Sequence, residues 1–263
     1  MQAIDELVAI MARLRDPGSG CPWDMKQTFE TVLPYTLEEA YEVADAIQQG
    51  DMAELREELG DLLFQVVFHS QMAAEAGHFD LEGVAEAINS KMLRRHPHVF
   101  ADACYADDEQ LHLAWEHAKS MERSAGQAAS GSALEGVARA LPALLRAQKL
   151  QKRAARVGFD WPNARGAFDK VREELHEVEQ ALSMAGRPHL EEELGDLLFA
   201  LVNTVRKLDL DAEHALRYAN DKFERRFRRL EELLAAQGEA ELARLDAETL
   251  DAAWEAVKRE EMA

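Results

Sequence analysis

The octapeptide Glu-Glu-Leu-Gly-Asp-Leu-Leu-Phe stands at Glu57–Phe64 and again at Glu192–Phe199. The offset between the copies is 135 positions (193 − 58), and it also aligns Glu38-Glu39-Ala-Tyr-Glu42 with Glu173-Glu174-Leu-His-Glu177. Each half therefore holds a Glu-Glu-x-x-Glu run followed by a Glu-x-x-Asp run. The correspondence extends further. Asn89-Ser-Lys91-Met-Leu-Arg94-Arg95 resembles Asn220-Asp-Lys222-Phe-Glu-Arg225-Arg226, and Trp115-Glu-His-Ala-Lys119 resembles Trp254-Glu-Ala-Val-Lys258. Solenoid repeats run to about 20–50 residues, so a period this long marks a duplicated domain. The expected layout is a helical domain over 1–123, a small polar linker over 124–133, and a second helical domain over 134–263.

Apolar residues recur with helical spacing. Leu55, Leu59, Leu62, Leu63 and Val66 form one stripe, and Leu190, Leu194, Leu197, Leu198 and Leu201 form its counterpart. No stretch alternates with period two over a strand length, so the chain reads as all-α. In the first half, one helix ends near Asp16-Pro17-Gly18 and a loop carries Cys21-Pro22-Trp23-Asp24. Thr36 starts the next helix, with Glu39 completing a capping box, and that helix stops near Gly50-Asp51. Others run to about Gly77, from Asp80 to Pro97, and over Trp115–Met121. In the second half, helices are expected near 139–155, 166–185, 189–207, 211–236 and 246–261.

Carboxylates three apart in a helix sit on one face, roughly 300° around and one turn along. Glu193 and Asp196 border the leucine stripe and avoid the face opposite it. Two such helices face to face gather four carboxylates, and charges that crowded repel unless a cation neutralises them. An all-oxygen donor set suits Mg²⁺, with Mn²⁺ as a substitute, whereas zinc recruits His or Cys. A di-iron bundle needs two Glu-x-x-His motifs. Glu173 and His176 supply one such spacing, but Glu39 and Glu42 in the first half do not. Gly60 and Gly195 interrupt both acidic motifs at about 1 kcal/mol each relative to alanine. Close approach of a ligand, of another backbone or of a neighbouring helix would offset that cost.

Magnesium held by a few carboxylates usually meets phosphates. Lys222, Arg225 and Arg226 supply complementary charge, with Arg156 and Lys170 as weaker candidates. Trp254 could stack on a base. Trp161 and Phe159 could wall a base pocket, though core packing is the more ordinary fate. There is no P-loop and no Gly-x-Gly-x-x-Gly fingerprint. Fifty acidic against 30 basic residues, a net charge of -20, argue against direct nucleic-acid binding. The two cysteines, Cys21 and Cys104, build neither a zinc site nor a disulfide framework and suit the cytoplasm. No run is apolar enough for a membrane span, and the acidic N-terminus is unlike a signal peptide.

The acidic motifs, together with the Lys-x-x-x-Arg and tryptophan elements, resemble the MazG family of nucleoside triphosphate pyrophosphohydrolases across essentially the whole chain, in its two-domain form. The family motif maps onto Glu173, Glu174, Glu177, Glu193 and Asp196, and separately onto Glu38, Glu39, Glu42, Glu58 and Asp61. The resemblance implies tandem four-helix-bundle domains, a homodimer, and Mg²⁺-dependent hydrolysis of NTPs and dNTPs to the monophosphate and pyrophosphate. It also implies that the C-terminal domain is the main catalytic unit. Glu174, Glu177, Glu193 and Asp196 are then the expected metal ligands, with Glu39, Glu42, Glu58 and Asp61 as a second set. Glu173 or Glu192 is expected to activate water. Lys170, Glu173, His189, Glu192, Lys222, Arg225, Arg226 and Trp254 are expected around the substrate, with broad base tolerance suited to cleansing of nucleotide pools. His189 departs from the basic residue expected there. The competing expectation is a helical adaptor that senses nucleotide or metal without turnover.

Overall fold

Two helices in the two halves have the same length and stand in the register of the octapeptide repeat. Helix α2 runs Phe29–Gln49 and α7 runs Ala164–Met184, so both ends are displaced by 135 residues (164 − 29, 184 − 49). The computed structural model describes residues 2–107, 110, 111, 114, 115, 118, 132–184, 187–238 and 241–261. They divide into two compact units, Met1–Glu122 and Arg123–Ala263. The first unit contains α1 (Gln2–Leu14), α2, α3 (Met52–Glu75), α4 (Leu81–Arg95) and the single turn α5 (Pro97–Phe100). The second contains α6 (Ala143–Arg156), α7, α8 (Arg187–Lys207), α9 (Ala212–Ala236) and α10 (Ala247–Glu260). No strand occurs among the described residues. The expected linker lies outside them apart from 132 and 133, and the helix expected at Trp115–Met121 is described only at 115 and 118. No described helix is long and apolar enough to cross a membrane.

In each unit the most extensive packing joins the two helices that carry the acidic motifs, α2 with α3 and α7 with α8. The first pair is joined by a two-residue turn. Gly50 closes α2 in the left-handed region (φ 72°), which a glycine adopts without steric cost. Asp51 then caps α3, its carboxylate accepting from the Ala53 and Glu54 N–H groups.

The start of α2 differs from the sequence expectation. The helix begins at Phe29, and its capping box is formed by Thr28 and Thr31, whose side chains accept from each other's backbone N–H groups. Thr36 lies inside the helix, donating its hydroxyl hydrogen to the Val32 carbonyl or sharing it with His69 Nε2 at 3.0 Å. Pro34 is in the helix as well. Its ring removes one backbone donor, and the packing of α2 on α3 outweighs that loss.

The core of the first unit is Met11, Val32, Val67, Phe68 and Met72, flanked by Leu7, Val8, Leu63, Phe64 and Leu81. Arg15, with 9% of its side chain exposed, closes one end. Its guanidinium binds Glu75 at 2.7–3.1 Å, donates to the Gln27 carbonyl and lies over the Phe68 ring. In the second unit, Leu230, Leu234, Ala253 and Val257 form the seam between α9 and α10. Two buried glutamines fasten α6 across its neighbours. Gln148 donates to the Leu210 carbonyl and accepts from the Ala212 N–H, and Gln151 donates to the Phe199 carbonyl. Asp160 binds Arg206 and Lys207 at the end of α8.

Arg15 holds the Glu75 carboxyl below its ordinary value of 4.5. A depressed carboxyl stabilises the fold above its unfolded pKa and ceases to as pH falls through its folded one. We predict that Arg15→Ala destabilises the first unit by about 1 kcal/mol at pH 7, since Arg15 is nearly buried but its partner Glu75 is exposed and screened by solvent. Urea unfolding should show that difference shrinking below about pH 4. A difference independent of pH would assign the loss to packing on Phe68 alone.

Candidate metal centre

On α7, Glu174 and Glu177 are three apart and share a face; α8 presents Glu193 to them. One carboxylate oxygen from each of Glu174, Glu177 and Glu193 lies within 4.8 Å of the other two. Glu174 is only 5% exposed, and Glu177 and Glu193 are half-buried. Burial, then the charge of Glu174 and a hydrogen bond to it, and also the charge of Glu193, raise the Glu177 carboxyl above its ordinary 4.5. Asp196, the expected fourth member, is exposed and stands outside this trio.

The first unit repeats the arrangement with a different choice of three. Glu39, Glu58 and Asp61 bring oxygens within 4.8 Å of one another. Glu42 stands outside that trio, yet it hydrogen-bonds Glu39 and its charge acts on Glu58. Burial first, then the charges of Asp61 and Glu42, raise the Glu39 carboxyl; burial and then Glu42 raise that of Glu58. Glu39 also accepts from buried Gln65 at 3.3 Å. Every one of the four repeated positions thus belongs to a trio in at least one unit.

The surroundings differ between the units. Lys170 Nζ lies 2.7 Å from both Glu173 Oε1 and Glu174 Oε1, and those bonds raise its pKa well above the ordinary lysine value. Lys170 is therefore the counter-ion of the buried glutamate. The equivalent position in the first unit (170 − 135) is Tyr35. His189 Nε2 is 3.5 Å from Glu193 and Nδ1 is 3.8 Å from Glu192; the equivalent position (189 − 135) is Glu54. Glu173 and Glu192 are exposed flanks of the trio. His176 turns to Gln180, 2.8 Å away, and to Glu179, and is no member of the trio. The one Glu-x-x-His spacing therefore adds no nitrogen ligand.

A Cβ built at Gly195 or Gly60 meets nothing within 4 Å among the described residues. Neighbouring-helix contact, one of the expected reasons for glycine there, is therefore absent among the described residues. The aromatic loop also departs from expectation. Phe159 is 82% exposed and Trp161 is exposed, so neither is a core residue. Trp161 leans on Gly166, where a Cβ would come within 3.0 Å of the ring. That contact lies about 12 Å along α7 from Glu174.

The predicted basic cluster lies on α9, against the end of α10. Arg226 binds Glu261 Oε2 through Nε at 2.8 Å and Nη2 at 2.7 Å, and Arg225 Nε is 3.5 Å from Glu261 Oε1. Neither forms an ion pair with the trio. Lys222 is half-buried. Trp254 is partly buried against Phe223, ring centroids 5.5 Å apart, and against the α9–α10 seam. One face of Trp254 is thus committed to packing. Glu261 and Lys170 as partners were not foreseen: neither pairing is written in a repeated motif.

Three carboxylates at this separation fit a hard divalent cation: the donor set is all oxygen, two of the three sit on adjacent turns of one helix, and one is buried. The cation would relieve the repulsion that raises Glu177. A raised carboxyl destabilises the fold as pH climbs past its unfolded pKa. We predict that Glu177→Gln raises the melting temperature of the metal-free protein at pH 7.5, with the gain gone by pH 4. Scanning calorimetry at both pH values checks this, and an unchanged melting temperature at pH 7.5 would contradict it.

The family described as the MazG nucleotide pyrophosphohydrolase domain matches residues 27–100 and 167–230, which include both sets of four carboxylates. The chain is 53% identical to a nucleoside triphosphate pyrophosphohydrolase of Escherichia coli (strain K12), over 100% of this chain and 99% of that protein. It is 44% identical to the nucleoside triphosphate pyrophosphohydrolase/pyrophosphatase MazG of Thermotoga maritima, over 97% of this chain and 95% of that one. Among solved structures it is similar to a mazG-related protein from Thermotoga maritima, at 31% identity, with a TM-score of 0.38 and coverage of 44% of this chain and 98% of that one.

Proposed function

The chain belongs to the MazG nucleotide pyrophosphohydrolase family, and on that premise we propose that it hydrolyses NTPs and dNTPs to the monophosphate and pyrophosphate, using Mg²⁺ held in the second unit by Glu174, Glu177, Glu193 and Asp196. The observation that carries the reading is the convergence of Glu174, Glu177 and Glu193 around a point shielded by the α7–α8 pair. The full-length likeness to proteins named for this activity supports it. Mn²⁺ would satisfy the same oxygen donors.

Bound magnesium would neutralise phosphate charge and lower the pKa of a coordinated water. The protein's own groups do the rest. Lys170 holds the buried Glu174 carboxylate in place, so that the trio is organised before substrate arrives. Exposed Asp196 is free to turn inward as a fourth ligand. Glu192 or Glu173, flanking the trio, takes the proton of the attacking water. The new oxygen–phosphorus bond forms at Pα as the Pα–O–Pβ bond breaks, and pyrophosphate leaves. Lys222, Arg225 and Arg226 meet charge on the phosphates, and the free side of Trp254 meets the base. An aromatic surface reads shape and gives little hydrogen-bond discrimination, in keeping with broad base tolerance and a role in cleansing nucleotide pools.

The first unit has the carboxylates but Tyr35 and Glu54 in place of Lys170 and His189, which supports the second unit as the main catalytic one. Homodimerisation belongs to the same reading. Phe168, Leu175 and Leu182 line one face of α7 and Leu194, Leu198 and Leu201 one face of α8, all exposed in the single chain. Apolar stripes of this kind favour association. A net charge of -20 argues against direct nucleic-acid binding. Two unpaired cysteines suit a cytosolic setting.

Incubation with ATP, Mg²⁺ and ¹⁸O-water should yield AMP and pyrophosphate in equal amounts, with the label in AMP. Label in pyrophosphate would move the attack to Pβ, and ADP with phosphate would indicate a different hydrolase. Glu193→Gln should keep wild-type helicity by circular dichroism and lose activity by at least the ~100-fold that loss of a supporting partner costs a metal site. Near wild-type turnover would remove this cluster from the chemistry.

A further inference from the structure

The guanidinium groups assigned above to the phosphates are already occupied by a carboxylate of the same chain. Glu261 follows the last residue of α10. Its Oε2 receives both Nε and Nη2 of Arg226, at 2.8 and 2.7 Å, while its Oε1 stands 3.5 Å from Arg225 Nε. One anionic group facing two arginines, with one oxygen in the fork of a guanidinium, reproduces the contacts a phosphate would make there. The preceding residue, Glu260, binds Arg229 Nε at 2.9 Å. Two successive carboxylates at the end of α10 thus fasten it to three arginines of α9. Lys222, one turn from Arg226 on the same face, forms no ion pair among the described residues.

Resting on the reading that Arg226 holds substrate phosphate, we propose that Glu261 is an internal phosphate mimic: the end of α10 is an autoinhibitory contact that a triphosphate must displace from Arg226 before it can bind productively. The means of displacement are built in. Glu261 is exposed and lies at a helix end, where the last turn frays at little cost. Arg226 and then Arg225 hold its carboxyl below the ordinary 4.5, so it remains an anion throughout the neutral range. The hydrophobic seam of Leu230, Leu234, Ala253 and Val257 keeps the rest of α10 attached when the last turn lets go. The same release would loosen the segment that follows Trp254 and so links phosphate binding to the residue assigned to the base.

The test is steady-state turnover of Mg²⁺-ATP by full-length wild type, Glu261→Gln, Arg226→Ala and the double variant, with melting curves for each. An exposed ion pair competes weakly, so Glu261→Gln should lower KM about two- to fivefold with kcat unchanged. Arg226→Ala should raise KM, and adding Glu261→Gln to it should bring no further decrease. If Arg226→Ala raises KM while Glu261→Gln leaves it unchanged or raises it, the autoinhibitory role is overturned and Glu261 is only a structural fastening; a lowered melting temperature would then accompany it. If Arg226→Ala leaves KM unchanged, the phosphate assignment of Arg226 falls, and the role of Glu261 with it.

Discussion

Mutual repulsion among carboxylates packed between two antiparallel helices is the constraint around which this protein is arranged. A buried glutamate such as Glu174 is costly unless something pairs with it. Nearby Glu177 and Glu193 add to the cost. The folded chain meets it by burying only Glu174 deeply, setting Lys170 against it, and leaving Asp196 in solvent. What the metal-free fold tolerates, a divalent cation would turn into attraction. The α7–α8 pair is then both the principal packing contact of its unit and the frame of its site, so rigidity and ligand geometry have a common origin.

Duplication supplied that frame twice, and substitution then differentiated the copies. The repeated carboxylates keep their helical positions, and in both units they converge. The residues around them changed. Position 35 is Tyr and its equivalent 170 is Lys; position 54 is Glu and its equivalent 189 is His; position 65 is Gln and its equivalent 200 is Ala. The first unit therefore surrounds its cluster with a further acid and a neutral amide, the second with a lysine and an imidazole. These differences alter charge at the rim while leaving the helical frame untouched, so the two clusters can differ in affinity for metal and for phosphate without any change of fold.

Most helices were legible in the sequence because their apolar spacing is regular and their ends carry strong signals, as at Asp80, Gly50-Asp51, Asp211 and Asp246. The start of α2 was not, because Pro34 reads locally as a breaker while tertiary packing retains it inside the helix. The acidic cluster was legible because helical periodicity alone places residues three apart on one face. Which three of the four carboxylates approach most closely depends on side-chain rotamers, and sequence spacing does not contain those. Partners across helices, such as Arg15 with Glu75, Asp160 with Arg206 and Glu261 with Arg226, follow no short-range pattern. The core packing expected of Trp161 and Phe159 fails for a related reason: an aromatic residue in a loop carries no periodicity that says which side of it is covered.

Whether the acidic side chains of the α7–α8 pair grip a divalent cation is open to direct measurement. Titration of the metal-free full-length protein with Mn²⁺, read by electron paramagnetic resonance, tests it most directly when wild type is compared with a Glu174→Gln/Glu193→Gln double variant. The variant should lose the bound equivalents belonging to the second unit and retain those of the first. Equal Mn²⁺ binding by the two proteins, both folded, would contradict it.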